Sequence, residues 1–384
     1  MYIGHVSDCF LPRLGGIEWQ VHDLAVRQYE AGHRVEVVTG VPGGEGPPGV
    51  LVHRPAARRR SESISYLAAL QGCDVALDRG YDVLHVHAST FSPLAYLTAR
   101  AGARAGVPVV VTGHSLWSYA TPIFRLADRG LGWAHWPVEW SAVSTVAAEP
   151  LRALLPPGRP VTVLPNGVDR AEWDVEPVPR SSDDVHIVSV LRFARRKRPL
   201  DLVDMLSTAS RLVPDSVRLR ATLVGDGPLL PATEGALRRA GMDEWVQLPG
   251  RLGRTDIAEL FARADIYVAP ADLESFGIAA LEARCAGLPV VGKRNTGLQD
   301  FIRHGTEGLL ADSDEELVQA LALLAARPEQ RIAMAEHNRS QPPKVGWEHI
   351  LETCEALYGS AARRAEVFDE ARCIERTSLA TLTP

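Results

Sequence analysis

Along the first half of the chain, short apolar runs alternate with longer stretches of helical spacing. YIGHVS, RVEVVT, DVLHVHA, VPVVVTG and EWSAVS are candidate strands, and residues 16 to 32 and 90 to 106 carry apolar positions three or four apart. Such alternation predicts βαβ units and a parallel sheet covered on both faces. A polar, proline-bearing stretch, EPVPRSSDDV, breaks the pattern and reads as a domain boundary. Beyond it the alternation restarts with VHIVSVL, LRATLVG, WVQLPG, DIYVAP, LPVVGK and EGLLA. The expected fold is therefore α/β, two Rossmann-like doubly wound domains facing a cleft, at residues 1–168 and 183–343. A terminal helix over 344–360 and an Ala/Arg/Glu-rich tail of no clear fold over 361–384 complete the chain. Open α/β sheets bind ligands outside the carboxyl ends of their strands, so the loops that follow these runs are where chemistry is expected.

Composition narrows the classes. A chain of 384 residues suits two domains rather than one core. With 46% hydrophobic and 23% charged residues it reads as globular, and a net charge of -6 argues against nucleic acid as a partner. Five cysteines with no C-x-x-C spacing suggest neither a disulfide framework nor a zinc site, as expected of a cytoplasmic protein. MYIGHVSD enters a strand without a charged leader, so no secretory signal is expected, and no apolar run reaches membrane-spanning length.

The stretch ADLESFGIAALEARCAGLPVV concentrates the candidate chemistry. DIYVAP is the strand before it, residues 271–275 are the exit loop, and the helix opening at FGIAALE aims its first amides at the ligand side. Unpaired N–H groups and the helix dipole make an anion site suited to a diphosphate, and Gly277 lets backbone approach it. Glu282, six residues into this helix and about 8 to 9 Å along its axis, could reach a ribose diol. Glu274 points beyond the diphosphate. A capping carboxylate and a solvated helix Glu are the plain alternative. SVLRFARRKRPLDLV then puts Arg192, Arg195, Arg196, Lys197 and Arg198 between a strand and a helix N-terminus, where cations oppose the dipole unless an anion binds. Arg192 and Lys197 are read as functional; Arg195, Arg196 and Arg198 keep the reading of a solvated basic loop.

Taken together these residues resemble glycosyltransferase family 4, which has the two-domain GT-B fold. The resemblance runs through GGIEWQVHDLA, PNGVD, the Arg192 and Lys197 pair, VGDGP, PGRLGRTDIAELFARADIYVAPADLESFGIAALEARCAGLPVV and GWEHILETCEALY. Its most specific element is E-x7-E, here Glu274 and Glu282. It implies retaining transfer of a sugar from a nucleotide diphosphate, with no metal or other cofactor and no enzymic nucleophile. Glu282 would bind the donor ribose, Glu274 the transferred sugar, and Arg192 and Lys197 the diphosphate. Gly15 and Gly16 would approach the donor from the first domain, with Arg251, Leu252, Phe276, Gly277 and Ile278 as further donor contacts. His114, ending VPVVVTGH, would lie near the sugar, and the segment around Trp347 would cross back onto the first domain. Within the family, VSDCFLPRLGGIEWQVHDLA and VLPNGVD are similar to the catalytic polypeptides that make N-acetylglucosaminyl-phosphatidylinositol. That implies UDP-N-acetylglucosamine as a candidate donor and an inositol-like acceptor, either a small molecule or a lipid headgroup met by peripheral membrane contact.

Other features weigh less. His85 and His87 share one strand face, but a metal needs a third ligand that the sequence does not identify, and satisfied buried histidines are favoured. Asp312 and Asp314 mimic a D-x-D metal motif, although acids opening a helix explain them better. Trp117, Trp133, Trp136 and Trp140 cluster in one segment; Trp117 and Tyr119 are candidates to stack on an acceptor, with core packing the commoner use. Arg58, Arg59 and Arg60 could meet an anionic headgroup or form a solvated loop. A nicotinamide oxidoreductase would need an intact G-x-G-x-x-G, and GDGPLL carries Leu230 at the third glycine. A nucleotide-sugar epimerase or a non-catalytic nucleotide-sugar-binding protein of the same fold is the alternative.

Overall fold

The structure, a computed structural model, describes residues 1–55, 66–179, 181 and 183–380; Arg58, Arg59 and Arg60 lie outside the described residues. It divides into two compact units, Met1–Gly167 together with the segment from Trp347, and Val168–Gly346.

Among the described residues the first unit holds seven strands: β1 Tyr2–Ser7, β2 Arg34–Thr39, β3 Leu51–His53, β4 Val83–Ala88, β5 Val109–Gly113, β6 Glu139–Ala142 and β7 Val161–Val163. They form one parallel sheet in the order β3-β2-β1-β4-β5-β6-β7. Every residue of β4, β5 and β6 is buried, the polar His85, His87, Thr112, Glu139 and Ser141 among the apolar ones, as strands covered on both faces require. β3 and β7 are three-residue edge strands without such a run, and the sequence pattern gave no sign of them. The order reverses between β1 and β4, which makes their carboxyl ends the switch point of this sheet. There Asp8, directly after β1, accepts hydrogen bonds from the amides of Leu94 (3.1 Å) and Ala95 (3.0 Å) in the first turn of helix Pro93–Arg104. It thereby ties β1 to the helix that follows β4.

The terminal segment corrects the expectation of an unstructured tail, because helix Trp347–Ala380 is continuous past residue 360. Ile350, Cys354, Leu357, Tyr358 and Ala361 repeat at three- and four-residue intervals and pack in one cluster with Ile3, Val83 and Val110. Ala365 is buried too, and Arg364 pairs with the buried Glu139 at 2.6 Å. An Ala/Arg/Glu-rich composition has high helix propensity, and here it also has a partner surface.

The second unit contains β8 Asp184–Val190, β9 Arg218–Val224, β10 Val246–Gly250, β11 Ile266–Ala269, β12 Val290–Lys293 and β13 Gly308–Ala311. Its parallel sheet runs β10-β9-β8-β11-β12-β13, with the switch between β8 and β11. This unit starts ahead of the proline-bearing stretch that reads as a boundary. Helix Arg170–Trp173 buries Trp173 against Phe261, ring centroids 5.8 Å apart, so this segment belongs to the second core.

A backbone clasp shapes the exit from β8. Leu191 N donates to Val224 O (2.9 Å), Phe193 N to Asp226 O (2.9 Å), and Leu229 N to Phe193 O (2.8 Å). Gly225 and Gly227 sit at φ 137° and 153°; a Cβ there would stand 1.9 Å from Leu191 O and 2.5 Å from Phe193 O. Only glycine allows so close an approach. Gly227→Ala is expected to cost about 2–4 kcal/mol in urea unfolding. Gly130→Ala, in an exposed helix with open space around the added methyl, should gain about 0.5–1 kcal/mol. Equal stability of the two variants would refute the clasp.

Candidate functional site

In the second unit both loops at the switch point carry the expected residues. The β8 exit holds Arg192, exposed, and Lys197, in a single turn over Arg195–Lys197. The β11 exit holds Glu274, buried Phe276, and Gly277 at φ 95°, which caps helix Ile278–Cys285. Lys197 Nζ donates to Glu274 Oε2, so the cation and the loop carboxylate meet directly. Glu282 is half-buried in that helix. The helix opens two residues later than the sequence suggests, because Gly277 adopts the left-handed conformation, and Glu282 stands about 6 Å beyond its first residue rather than 8 to 9 Å. Burial, reinforced by the charges of Glu274 and Glu282, raises the Tyr267 phenol far above its ordinary value, so both carboxylates act on one side chain.

The β11 exit is held from below by residues that the sequence reading missed. Gly297 N donates to Glu274 O (2.9 Å), and a Cβ on Gly297 would stand 2.4 Å from Phe276 Cα. Leu298 fills the space beside Gly277, and Phe276 packs on Phe301 at 5.4 Å. The bare glycine in NTG was the only signal. Arg251, exposed, pairs with Asp226 of the clasp loop at 3.0 Å, and half-buried Leu252 follows it.

Arg198 is not the solvated loop residue expected from sequence. At φ 54° it is clamped by Asp314 (2.8 and 2.6 Å), Asp272 (3.1 Å) and Asp201 (3.3 Å). Lys293 Nζ reaches the same Asp314 at 2.6 Å. The hydrogen bonds from Arg198 hold the Asp314 carboxyl well below the usual range. Asp314 opens helix Asp314–Ala326 behind the cap Ser313, while Asp312 pairs with Arg294 at 3.0 Å, the arrangement of acids opening a helix.

In the first unit Gly15 and Gly16 lead into helix Gly16–Glu30. A Cβ on Gly15 would stand 2.4 Å from the buried Glu18 carboxylate, which pairs with Arg13 at 3.1 Å. His114 follows β5 and is buried, with Nε2 3.0 Å from His87 Nδ1. The third histidine that the sequence could not supply is His5, placed opposite His85 by the β1–β4 register. The ligand nitrogens of His5, His85 and His87 all lie within 4.8 Å of one another, a spacing that could hold an ion. Yet both nitrogens of each ring already have hydrogen-bond partners: His5 with His87 (2.9 Å) and Gln28 (2.7 Å), His85 with Tyr358 (2.8 Å) and Thr112 (2.7 Å), and His87 with His5 and His114. Burial lowers His5 and His114 to about 4 and takes His85 and His87 well below the ordinary value, so all four are neutral at pH 7.

Trp117 does not offer its ring for stacking on an acceptor. It is buried, stacked on Phe124 at 4.2 Å, and edge-on to Trp133 and Trp140, because large aromatic surface is best buried against its own kind. Tyr119 is exposed, with its hydroxyl 2.6 Å from Thr90 Oγ1. Among the described residues no helix is long and apolar enough to cross a membrane.

Known proteins of the same build are numerous. A family model described as Glycosyltransferase Family 4 matches residues 14–172, and one described as Glycosyl transferases group 1 matches residues 172–341. The chain is similar to D-inositol 3-phosphate glycosyltransferase of Thermobispora bispora, 27% identical over 93% of this chain and 90% of the relative. It is also similar to the phosphatidylinositol N-acetylglucosaminyltransferase gpi3 subunit of Schizosaccharomyces pombe, 24% identical over 92% of this chain and 80% of the relative. Among solved structures, sucrose-phosphate synthase from Thermosynechococcus elongatus superposes with a TM-score of 0.73 at 20% identity, covering 93% of this chain and 98% of that one. Anabaena HepE in complex with UDP and glucose also gives 0.73, at 19% identity over 94% of this chain and all of that one.

The neutral histidines make stability depend on acid. Their folded values lie below the unfolded ones, so their contribution is present above about pH 6.5 and lost as pH falls toward 4. His5 and His114 each carry about 3 kcal/mol of this. Asp8 works the other way: burial raises it to about 6, and its contribution grows as pH falls through that value. The histidines outnumber it, so urea midpoints should fall between pH 6.5 and 4.5, and less steeply in His114→Gln. A midpoint that rises on acidification would contradict the arrangement.

Proposed function

The chain belongs to glycosyltransferase family 4 and is a glycosyltransferase of the GT-B fold, and from that premise we propose that it transfers a sugar from a UDP-sugar to an inositol-type acceptor with retention at the anomeric carbon. The observation that carries this reading is the contact of Lys197 with Glu274 across the β8 and β11 exits, at the switch point of one sheet, with Arg192 on the first exit and Glu282 in the helix that follows the second. In the proposal the first amides of helix Ile278–Cys285, with Arg192 and Lys197, hold the diphosphate. Glu282 binds the ribose diol, and Glu274 the sugar hydroxyls.

The chemistry asks for stabilisation of a leaving diphosphate. The bond from the anomeric carbon to the phosphate oxygen breaks, its electron pair leaving with UDP. The acceptor oxygen bonds to that carbon from the same face, and its proton passes to the departing phosphate oxygen. Fixed cations and amides stabilise the charge as it develops and cost no reorganisation. The names of two relatives point to inositol 3-phosphate and to phosphatidylinositol, which supports an inositol acceptor; N-acetylglucosamine is the proposed sugar. Peripheral membrane contact belongs to the phosphatidylinositol version of the reading.

Incubation with UDP-N-acetylglucosamine and either inositol 3-phosphate or phosphatidylinositol vesicles, with and without EDTA, tests this directly. UDP should be released only with an acceptor, EDTA should not matter, and the product should be the α-anomer by NMR. A β-anomer, or no acceptor-dependent release from any UDP-sugar, would sink the proposal. Glu282→Ala should weaken UDP binding about tenfold or more in calorimetry, the loss of a charge-assisted hydrogen bond. Glu274→Ala should chiefly lower kcat. Unchanged binding and turnover in both would remove the site assignment.

A further inference from the structure

A continuous line of hydrogen bonds crosses the core of the first unit from His114 to the backbone of β5. In order it passes His114, His87, His5, Gln28, Tyr358, His85, Thr112, Ser141 and the Val111 carbonyl. The three residues Gln28, Tyr358 and His5 come from different elements: the first helix, the terminal helix and β1.

Proton counting fixes its direction. Gln28 Oε1 can only accept, so His5 Nε2 donates to it at 2.7 Å. A neutral ring has one N–H, so His5 Nδ1 accepts from His87 Nε2 at 2.9 Å, and His87 Nδ1 accepts from His114 Nε2 at 3.0 Å. On the other side Gln28 Nε2 donates to the Tyr358 hydroxyl at 2.8 Å, and that hydroxyl gives its hydrogen to His85 Nδ1 at 2.8 Å. His85 Nε2 then donates to Thr112, Thr112 to Ser141, both at 2.7 Å, and Ser141 to the Val111 carbonyl at 3.5 Å. The Cys354 thiol also reaches the Tyr358 hydroxyl, as a weak partner. Every step agrees with the next, and burial of the four rings keeps each with a single ring hydrogen. Turning over the Gln28 amide would reverse every donor and acceptor from His114 to Ser141 and leave the Val111 carbonyl without its Ser141 donor, so the direction of the line is set at one side chain.

We propose that this line of bonds fixes a single tautomer of His114, with hydrogen on Nε2 and a bare Nδ1, so that His114 meets its ligand as a hydrogen-bond acceptor for a hydroxyl. Gln28, His5 and His87 are positioning residues in this scheme. The use of that acceptor in sugar transfer rests on the proposed function; the tautomer itself does not.

The test is a long-range ¹H–¹⁵N spectrum of the histidines in the full chain at pH 7. His114, His87, His5 and His85 should each show a protonated Nε2 and a bare Nδ1. Gln28→Glu accepts from both sides, so it should keep the His114, His87 and His5 tautomers while Tyr358 turns toward Glu and His85 moves its hydrogen to Nδ1. Gln28→Met offers neither donor nor acceptor and should leave His114 as a tautomer mixture, with kcat reduced more than KM is raised. Should the Gln28 variants not fold, Tyr358→Phe serves instead, and should release the His85 tautomer while His114 keeps its own. A protonated Nδ1 on His114 of the parent overturns the proposal. So does a His85 signal unchanged by Gln28→Glu, or by Tyr358→Phe where that variant stands in, or loss of the His5, His85 and His87 signals to zinc added at stoichiometry, which would make the cluster a metal site. If the parent shows the expected tautomers but no transfer from any UDP-sugar, the functional reading has failed and this one stands.

Discussion

A parallel sheet that is wound in both directions from its middle must leave two neighbouring strands whose following segments depart to opposite faces, and the gap between those departures is where backbone groups and side chains can face a ligand. Each unit of this chain has one such reversal, at β1/β4 and at β8/β11. The bracing Asp8 and the residues proposed to bear chemistry hang on it. Asp8 ends β1, while the Arg192–Lys197 segment ends β8 and the Glu274–Gly277 segment ends β11. The strands behind them are buried and rigid, so the loops need only short braces to hold their shape.

Those braces use close backbone approach more than charge. Gly225 and Gly227 let the β9 exit wrap the carbonyls of Leu191 and Phe193, and Gly297 lets another turn lie against Ser275 and Phe276. A ladder of short amide bonds fixes position to tenths of an ångström, which long charged side chains do not. Where charge is used structurally it is concentrated: Asp314 receives both Arg198 and Lys293, so one carboxylate closes the β8 exit onto β12 and the helix after β13. Arg192 and Lys197, on the same loop as Arg198, take no part in that closure.

Much of this was legible in the sequence for a physical reason. Strands buried on both faces must be mostly apolar, and eleven strands announce themselves as runs, whereas β3 and β7 have too few buried positions to do so. Glu274 and Glu282 stand out because a glycine and a helix start lie between them. Arg198 looked like its basic neighbours because its partners Asp272 and Asp314 are distant in sequence. His5 was invisible as a cluster member for the same reason: only the pairing of β1 with β4 sets it against His85. In the tail after residue 360 the buried positions are the alanines Ala361 and Ala365, while the larger Val367 is exposed, so no run of large apolar residues marks the packed face.

In the proposed function the contact between Lys197 and Glu274 links binding to chemistry. An ammonium–carboxylate pair with a partly exposed lysine contributes only about 0–1 kcal/mol, because the lysine keeps much of its hydration and its long side chain loses freedom when held. A diphosphate offers Lys197 more charge and more acceptor oxygens than a single carboxylate does. In the proposed function exchange of one for the other is favourable, and it would free the Glu274 carboxylate to accept from sugar hydroxyls. On that proposal the two residues need not be assembled separately for donor binding, since the loop contact that pairs them would also put the anion and the sugar side by side. A neutral side chain at position 274 would leave Lys197 without its carboxylate and the sugar without its acceptor, whereas loss of Glu282, which lies one turn into the helix, touches only the ribose end of the donor in the proposed arrangement. In that arrangement binding and turnover separate between the β11 exit loop, which holds Glu274, and the helix Ile278–Cys285 that follows it, which holds Glu282.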